Sequence, residues 1–146
     1  MNNFGQYQYM KTDITTADQA KLIVLLYEGA INFLNKAKDS IREGNVEGKC
    51  NNINRAQDII HELSYSLEMK KGGEIAEKLW SLYQFMERHL VKAKVERDGT
   101  KKIDEIVSML SKLNEAWSEI LNRPEVKSVR QVKTPMSPGL SQGINV

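Results

Sequence analysis

The sequence predicts an all-α protein: an antiparallel up-down-up-down four-helix bundle with a flexible N-terminal arm and a disordered C-terminal tail. Three observations lead there. Apolar residues recur at spacings of three and four in four segments between residues 16 and 123. The breaks between those segments are short and fall at Gly44-Asn45, Gly72-Gly73 and Asp98-Gly99, and short connections join neighbouring helices in opposite directions. No stretch shows the period-two alternation of a strand.

Residues 1–15 form the expected arm, polar with scattered apolar anchors at Phe4, Tyr7, Tyr9, Met10 and Ile14. Thr16-Ala17-Asp18-Gln19 fits a capping box, in which Thr16 and Gln19 serve free backbone N–H groups at a helix start. The first helix is expected to run to about Glu43, where Gly44 suits the left-handed position after a helix end. Asn45 then caps the second helix, whose seam is Ile53, Ala56, Ile60, Leu63 and Leu67. Lys70 and Lys71 complement a negative helix end, and Gly72-Gly73 is expected to stop it. The third helix carries Ile75, Leu79, Leu82, Met86, Leu90 and Ala93 on one line, with Ala76, Trp80, Tyr83 and Val91 beside it. Asp98-Gly99 turns the chain, Thr100 is the expected cap of the fourth helix, and its seam is Ile103, Ile106, Leu110, Leu113, Trp117 and Ile120. Pro124 follows, and the tail over 124–146 has prolines, glycines and no periodicity.

Composition narrows the function. The 146 residues are 40% hydrophobic and 27% charged, which suits one soluble domain with a useful core. Twenty-one basic residues against 19 acidic ones leave a net charge of +2, and the excess sits after Pro124 in Lys127, Arg130 and Lys133. Such a body has no phosphate-tracking stripe, so nucleic acid is not an expected partner. The longest apolar run falls far short of the roughly 20 residues that span a bilayer, and membrane insertion is not expected. With no charged-then-apolar leader at Met1–Met10 and a single cysteine, Cys50, the default is a cytoplasmic protein without disulfides.

Catalytic chemistry finds no support. A di-iron bundle needs two Glu-x-x-His pairs, whereas His61 and His89 each lack a glutamate three residues before them. No metal or other cofactor is expected. Cys50 has no sequence signal for an activating base and reads as a small semi-buried thiol. Gly72-Gly73 has neither a preceding strand nor a following Lys-Ser/Thr, so it reads as a turn and not a phosphate loop. The protein is not expected to be an enzyme.

Surplus apolar surface is the remaining signal. On the first helix, Leu22, Leu25, Leu26, Gly29, Phe33 and Ala37 form one stripe. Ile23, Tyr27, Ala30, Ile31, Leu34 and Ile41 form a second beside it. Together they span roughly 240° of the circumference, against the ~100° that one-sided packing needs. Two readings are open: a central column of the fold, or a groove for an amphipathic partner, read by apolar anchors at helical spacing. Candidate groove residues are Ile23, Tyr27, Ile31, Leu34, Trp80 and Tyr83. Tyr7, Tyr9 and Ile14 make the arm a candidate cover for that face. A helical scaffold whose spare stripe forms a homodimer is the alternative function.

Particular blocks of residues then point to one family. Tyr9, Ile14 and Leu25-Leu26-Tyr27-Glu28-Gly29-Ala30 resemble the opening of the flagellin export chaperone family (FliS). So do Ala56-Gln57-Asp58-Ile59-Ile60-His61-Glu62-Leu63 with Ser66-Leu67. Most specific is Gly72-Gly73-Glu74-Ile75-Ala76-Glu77-Lys78-Leu79, followed by Leu82-Tyr83, Met86 and, in the fourth helix, Ala116-Trp117. The resemblance implies a four-helix bundle that binds the disordered C-terminal segment of flagellin, blocks premature filament assembly and delivers the subunit to the flagellar type III export apparatus. It also implies that Tyr9 docks the loaded chaperone on the cytoplasmic domain of the export gate. This sequence departs from the family pattern in having Ala17-Asp18 where Ser-Pro is common, and Gln6 three residues before Tyr9, where Tyr7 is the available substitute. By itself the protein is expected to be a monomer or weak homodimer.

Overall fold

The computed structural model describes residues 16–123. The expected arm and tail lie outside them, as do the side chains of Thr16 and Ala17 and hence the capping box. Four helices follow in chain order: α1 (Thr16–Arg42), α2 (Val46–Tyr65), α3 (Met69–Val95) and α4 (Thr100–Leu121). No strand occurs among the described residues. The chain divides into two compact units, and the bundle described next is the unit Leu26–Leu113.

The first turn follows the sequence closely. Gly44 has a φ of 72°, its N–H donates to the carbonyl of Ile41, and the N–H of Asn45 donates to that of Ser40. That pair of bonds is a Schellman ending, which satisfies the last carbonyls of α1. Asn45 then caps α2, its side-chain oxygen accepting the N–H of Gly48 at 2.9 Å.

The second connection differs from the expectation. α2 ends at Tyr65 and not near Lys71. At Ser66 the N–H still donates to the Glu62 carbonyl, but the hydroxyl takes the Leu63 carbonyl at 2.9 Å, so that carbonyl is engaged locally. Lys70 and Lys71 consequently open α3 instead of closing α2. The glycine pair keeps its role within α3, because Gly73 has φ 53° and ψ −128°, a non-helical break that interrupts the element.

The third turn also shifts its cap by two residues. Asp98, not Thr100, supplies the side-chain acceptor, taking the Thr100 N–H at 2.9 Å. Gly99 has a φ of 82°, and a Cβ placed on it would stand 2.5 Å from the carbonyl oxygen of Ala93. Glycine is required there for both conformation and space.

Cross-helix contacts give direction. On α1, a Cβ built at Gly29 would stand 3.2 Å from Ile59 of α2, and the Phe33 ring lies 5.7 Å under the guanidinium of Arg55. Lys49 of α2 donates to the Glu96 carbonyl at 2.6 Å, and Gln57 to that of Glu87 at 3.2 Å. His89 of α3 meets Glu105 of α4 at 2.5 Å, while Glu96 pairs with Lys102. In each couple one helix advances as the other retreats, so sequence neighbours run in opposite senses. Lys38 Nζ to Asp104 at 2.7 Å joins α1 to α4.

The core is built from the expected seams. Ile53, Ala56, Ile60 and Leu63 of α2, and Ile103, Ile106 and Leu110 of α4, are buried. α3 contributes Ala76, Tyr83, Met86, Leu90 and Ala93, whereas Ile75 and Val91, expected on its inner lines, are exposed. Each large side chain fully buried here contributes about 1.5–3 kcal/mol.

Candidate functional site

α1 answers the question of its two stripes by taking its inner face from both. Leu26, Tyr27, Ala30, Leu34 and Ala37 are buried, a line recurring at three and four that needs only part of each stripe. Ile31 and Phe33 flank this line half-buried. Phe33 is covered on its outer side by Lys36, whose ammonium sits 5.4 Å from the ring centroid.

Three of the six candidate groove residues are therefore interior in this structure. Tyr27 and Leu34 have no exposed surface and Tyr83 keeps 2%. The hydroxyls of Tyr27 and Tyr83 form a buried hydrogen bond of 2.6 Å between α1 and α3. Periodicity gave no sign of this, because a tyrosine at helical spacing reads equally as rim or core. Desolvation of the phenol, then the neighbouring Tyr27 hydroxyl, pushes the pKa of Tyr83 well above the ordinary tyrosine range. The remaining three differ: Ile31 is half-buried, Trp80 is 47% exposed, and Ile23, in the other unit, is half-buried. Tyr7, Tyr9 and Ile14 lie outside the described residues.

The structure also shows accessible apolar side chains outside the candidate groove residues, one of them, Ile75, on an expected inner line. Tyr65 is 69% exposed and Ile75 71%, with Met69 and Phe85 less so. Tyr65 and Phe85 fall between the recurrent apolar positions of their helices, which is the signal that would have found them. Phe85 stacks on His89 with ring centroids 5.0 Å apart.

The titratable groups serve the fold. His61 lies 3.7 Å from Glu87, and burial, outweighing the attraction of His61, raises the Glu87 carboxyl above its ordinary range. His89 is occupied by Glu105, and Cys50 is half-buried. Among the described residues no group of three or more metal-ligating side chains converges, and no helix is long and apolar enough to cross a membrane. The open cleft at the start of α4, lined by Glu96, Asp98, Asp104 and Glu105, spends its carboxylates on Lys102, Thr100, Lys38 and His89. What this bundle offers chemically is apolar surface, on α3 above all.

Comparison with known proteins supplies the family. The family model for the Flagellar protein FliS matches residues 1–124. The flagellar secretion chaperone FliS of Campylobacter jejuni is 33% identical over 125 residues, covering 86% of this chain and 97% of that protein. The flagellar secretion chaperone FliS of Salmonella typhimurium is 34% identical over 112 residues, covering 76% of this chain and 82% of that one. Its counterpart in Bacillus subtilis is 28% identical over 113 residues, covering 77% and 83%. The match takes in α1 to α4 together with the positions of the exposed apolar residues, and this chain belongs to the FliS family of flagellar proteins.

Proposed function

We propose that this protein is a cytoplasmic chaperone of flagellar type III export that binds the disordered C-terminal segment of flagellin. The bound segment is kept from premature polymerisation and delivered to the cytoplasmic domain of the export gate. The observation that carries this reading is apolar side chains left accessible on a bundle whose core is already complete, in a chain of this family. Trp80 and Ile31 are the proposed contacts of the client on the bundle. Tyr27, Leu34 and Tyr83 act beneath them by holding α1 and α3 together. Burying four or five apolar anchors at ~1.5–3 kcal/mol each outweighs the 2–5 kcal/mol cost of ordering an unstructured ligand. Such a role uses no catalytic group, and the relatives' names describe chaperones.

Tyr7, Tyr9 and Ile14 are the proposed gate-docking residues of the arm. Tyr9→Ala is then expected to leave flagellin binding intact and to weaken capture by the gate's cytoplasmic domain.

The test of the main reading is calorimetry with a peptide of the last few dozen residues of the cognate flagellin. Saturable 1:1 binding with a negative heat-capacity change supports it. No binding by a folded chain whose mass rises with concentration supports the homodimer scaffold instead.

A further inference from the structure

The connection after α2 is interrupted where its sequence supplies no reason to stop. Ser66, Leu67, Glu68, Met69, Lys70 and Lys71 contain neither glycine nor proline, and all but Ser66 are strong helix formers. Leu67 lies four residues after Leu63, on the line of Ile53, Ala56, Ile60 and Leu63 that α2 buries. The register of α2 against α3, set by Lys49 with Glu96 and Gln57 with Glu87, leads to a reversal at Gly72-Gly73. Gly73 has the positive φ for it. A helix running on from Tyr65 to Lys71 is thus compatible with both the seam and the turn.

The interrupted form has costs. Glu68 makes no side-chain cap bond to the helical turn it precedes, and that turn is closed by the Gly72 N–H on the Glu68 carbonyl. The hydroxyl oxygen of Ser64 is buried without a partner. What holds the break is small: the Ser66 hydroxyl on the Leu63 carbonyl and a Leu67 N–H that reaches Ser64 at 3.2 Å, three residues back. Exposed Tyr65, Met69 and Ile75 surround it.

We infer that residues 66–72 are a two-state element, interrupted at Ser66 in one state and continuous with α2 to Lys71 in the other. In the continuous state Leu67 joins the buried seam of α2 and the amides of Met69, Lys70 and Lys71 gain acceptors one turn back. In the interrupted state they stand at the start of a helical segment, where amides lack intrahelical acceptors. The element sets how the apolar tip of the α2–α3 hairpin is presented, and it stands whether or not flagellin is the client.

Two single variants of the full chain test it by amide hydrogen exchange, with Ile53 and Ile60 as internal controls. Ser66→Ala removes the hydroxyl that holds the break, and is expected to slow exchange of the Met69, Lys70 and Lys71 amides about tenfold. Glu68→Pro is incompatible with the interior of a continuous helix, and is expected to speed exchange of the same amides. Rates equal to those of the unsubstituted protein in either variant, with the controls unchanged, overturn the two-state element. If Ser66→Ala does not fold, Glu68→Pro decides alone: faster exchange supports the inference and an equal rate overturns it.

Discussion

The hydroxyls of Tyr27 and Tyr83 meet at 2.6 Å inside the bundle, linking two helices that are not neighbours in sequence. Leu34, Met86, Leu90 and Ile106 are fully buried in the same unit. Buried phenols need partners, because a polar group sealed from water without a hydrogen bond costs more than the bond itself gains. Tyr83→Phe is expected to lower unfolding free energy by about 1–2 kcal/mol in a urea titration. Tyr83→Asp places an unpaired carboxylate in the same space and is expected to abolish the cooperative transition. Ile31→Asp, on a half-buried site, is expected to retain one.

The same pair sets an alkaline limit. Tyr83 has a folded pKa raised far above the ordinary tyrosine value of 10.0, first by burial and then by Tyr27. The unfolded chain therefore ionises this phenol before the folded one does. The corresponding stability is intact below the unfolded pKa and is lost as pH rises above about 10, where only the unfolded state releases the proton. Tyrosinate absorbance followed together with circular dichroism is expected to show part of the ionisation arriving only with loss of helix. Full ionisation in a still helical protein contradicts the assignment.

Glycines at two turns make a graded comparison. Gly44 and Gly99 both have positive φ, but a Cβ on Gly44 meets open space whereas one on Gly99 meets the Ala93 carbonyl at 2.5 Å. Gly44→Ala is expected to cost about 1 kcal/mol from conformation alone. Gly99→Ala adds a backbone clash and is expected to cost more, in the range of about 2–4 kcal/mol. Thermal midpoints of the two variants, measured side by side, check the order.

These contrasts show where sequence was sufficient. Gly44 and Asn45 act through their own backbone and side chain, so residue type alone identified the turn. Ile53, Ile60, Ile103 and Ile106 lie on narrow seams, and a narrow seam has one way to face inward. α1 has apolar residues around most of its circumference, and spacing cannot tell which of them reach the interior. Tyr27 and Leu34 required the neighbouring helices to be in place. The end of α2 depends on one hydroxyl, that of Ser66, choosing the Leu63 carbonyl, a competition between local bonds that no periodicity reports. The cap of α4 moved from Thr100 to Asp98 for a similar reason: both are good caps, and the positive φ of Gly99 puts the earlier one in reach.

Trp80 and Tyr83 stand one turn apart on α3 with opposite exposures, 47% against 2%, and this separates client binding from folding. Trp80→Ala removes a side chain that the fold leaves half in water, so its unfolding free energy is expected to change by less than about 1 kcal/mol. If Trp80 is an aromatic anchor for the flagellin segment, the same substitution is expected to weaken the peptide by about 2 kcal/mol, or some thirtyfold in Kd. Tyr83→Ala is expected to do the reverse, losing several kcal/mol of stability through the cavity it leaves. The measurement is a calorimetric titration of each folded variant at a temperature well below its own midpoint. Equal affinity for Trp80→Ala and the unsubstituted chain removes Trp80 from the client surface, and places the guest on another of the exposed apolar residues.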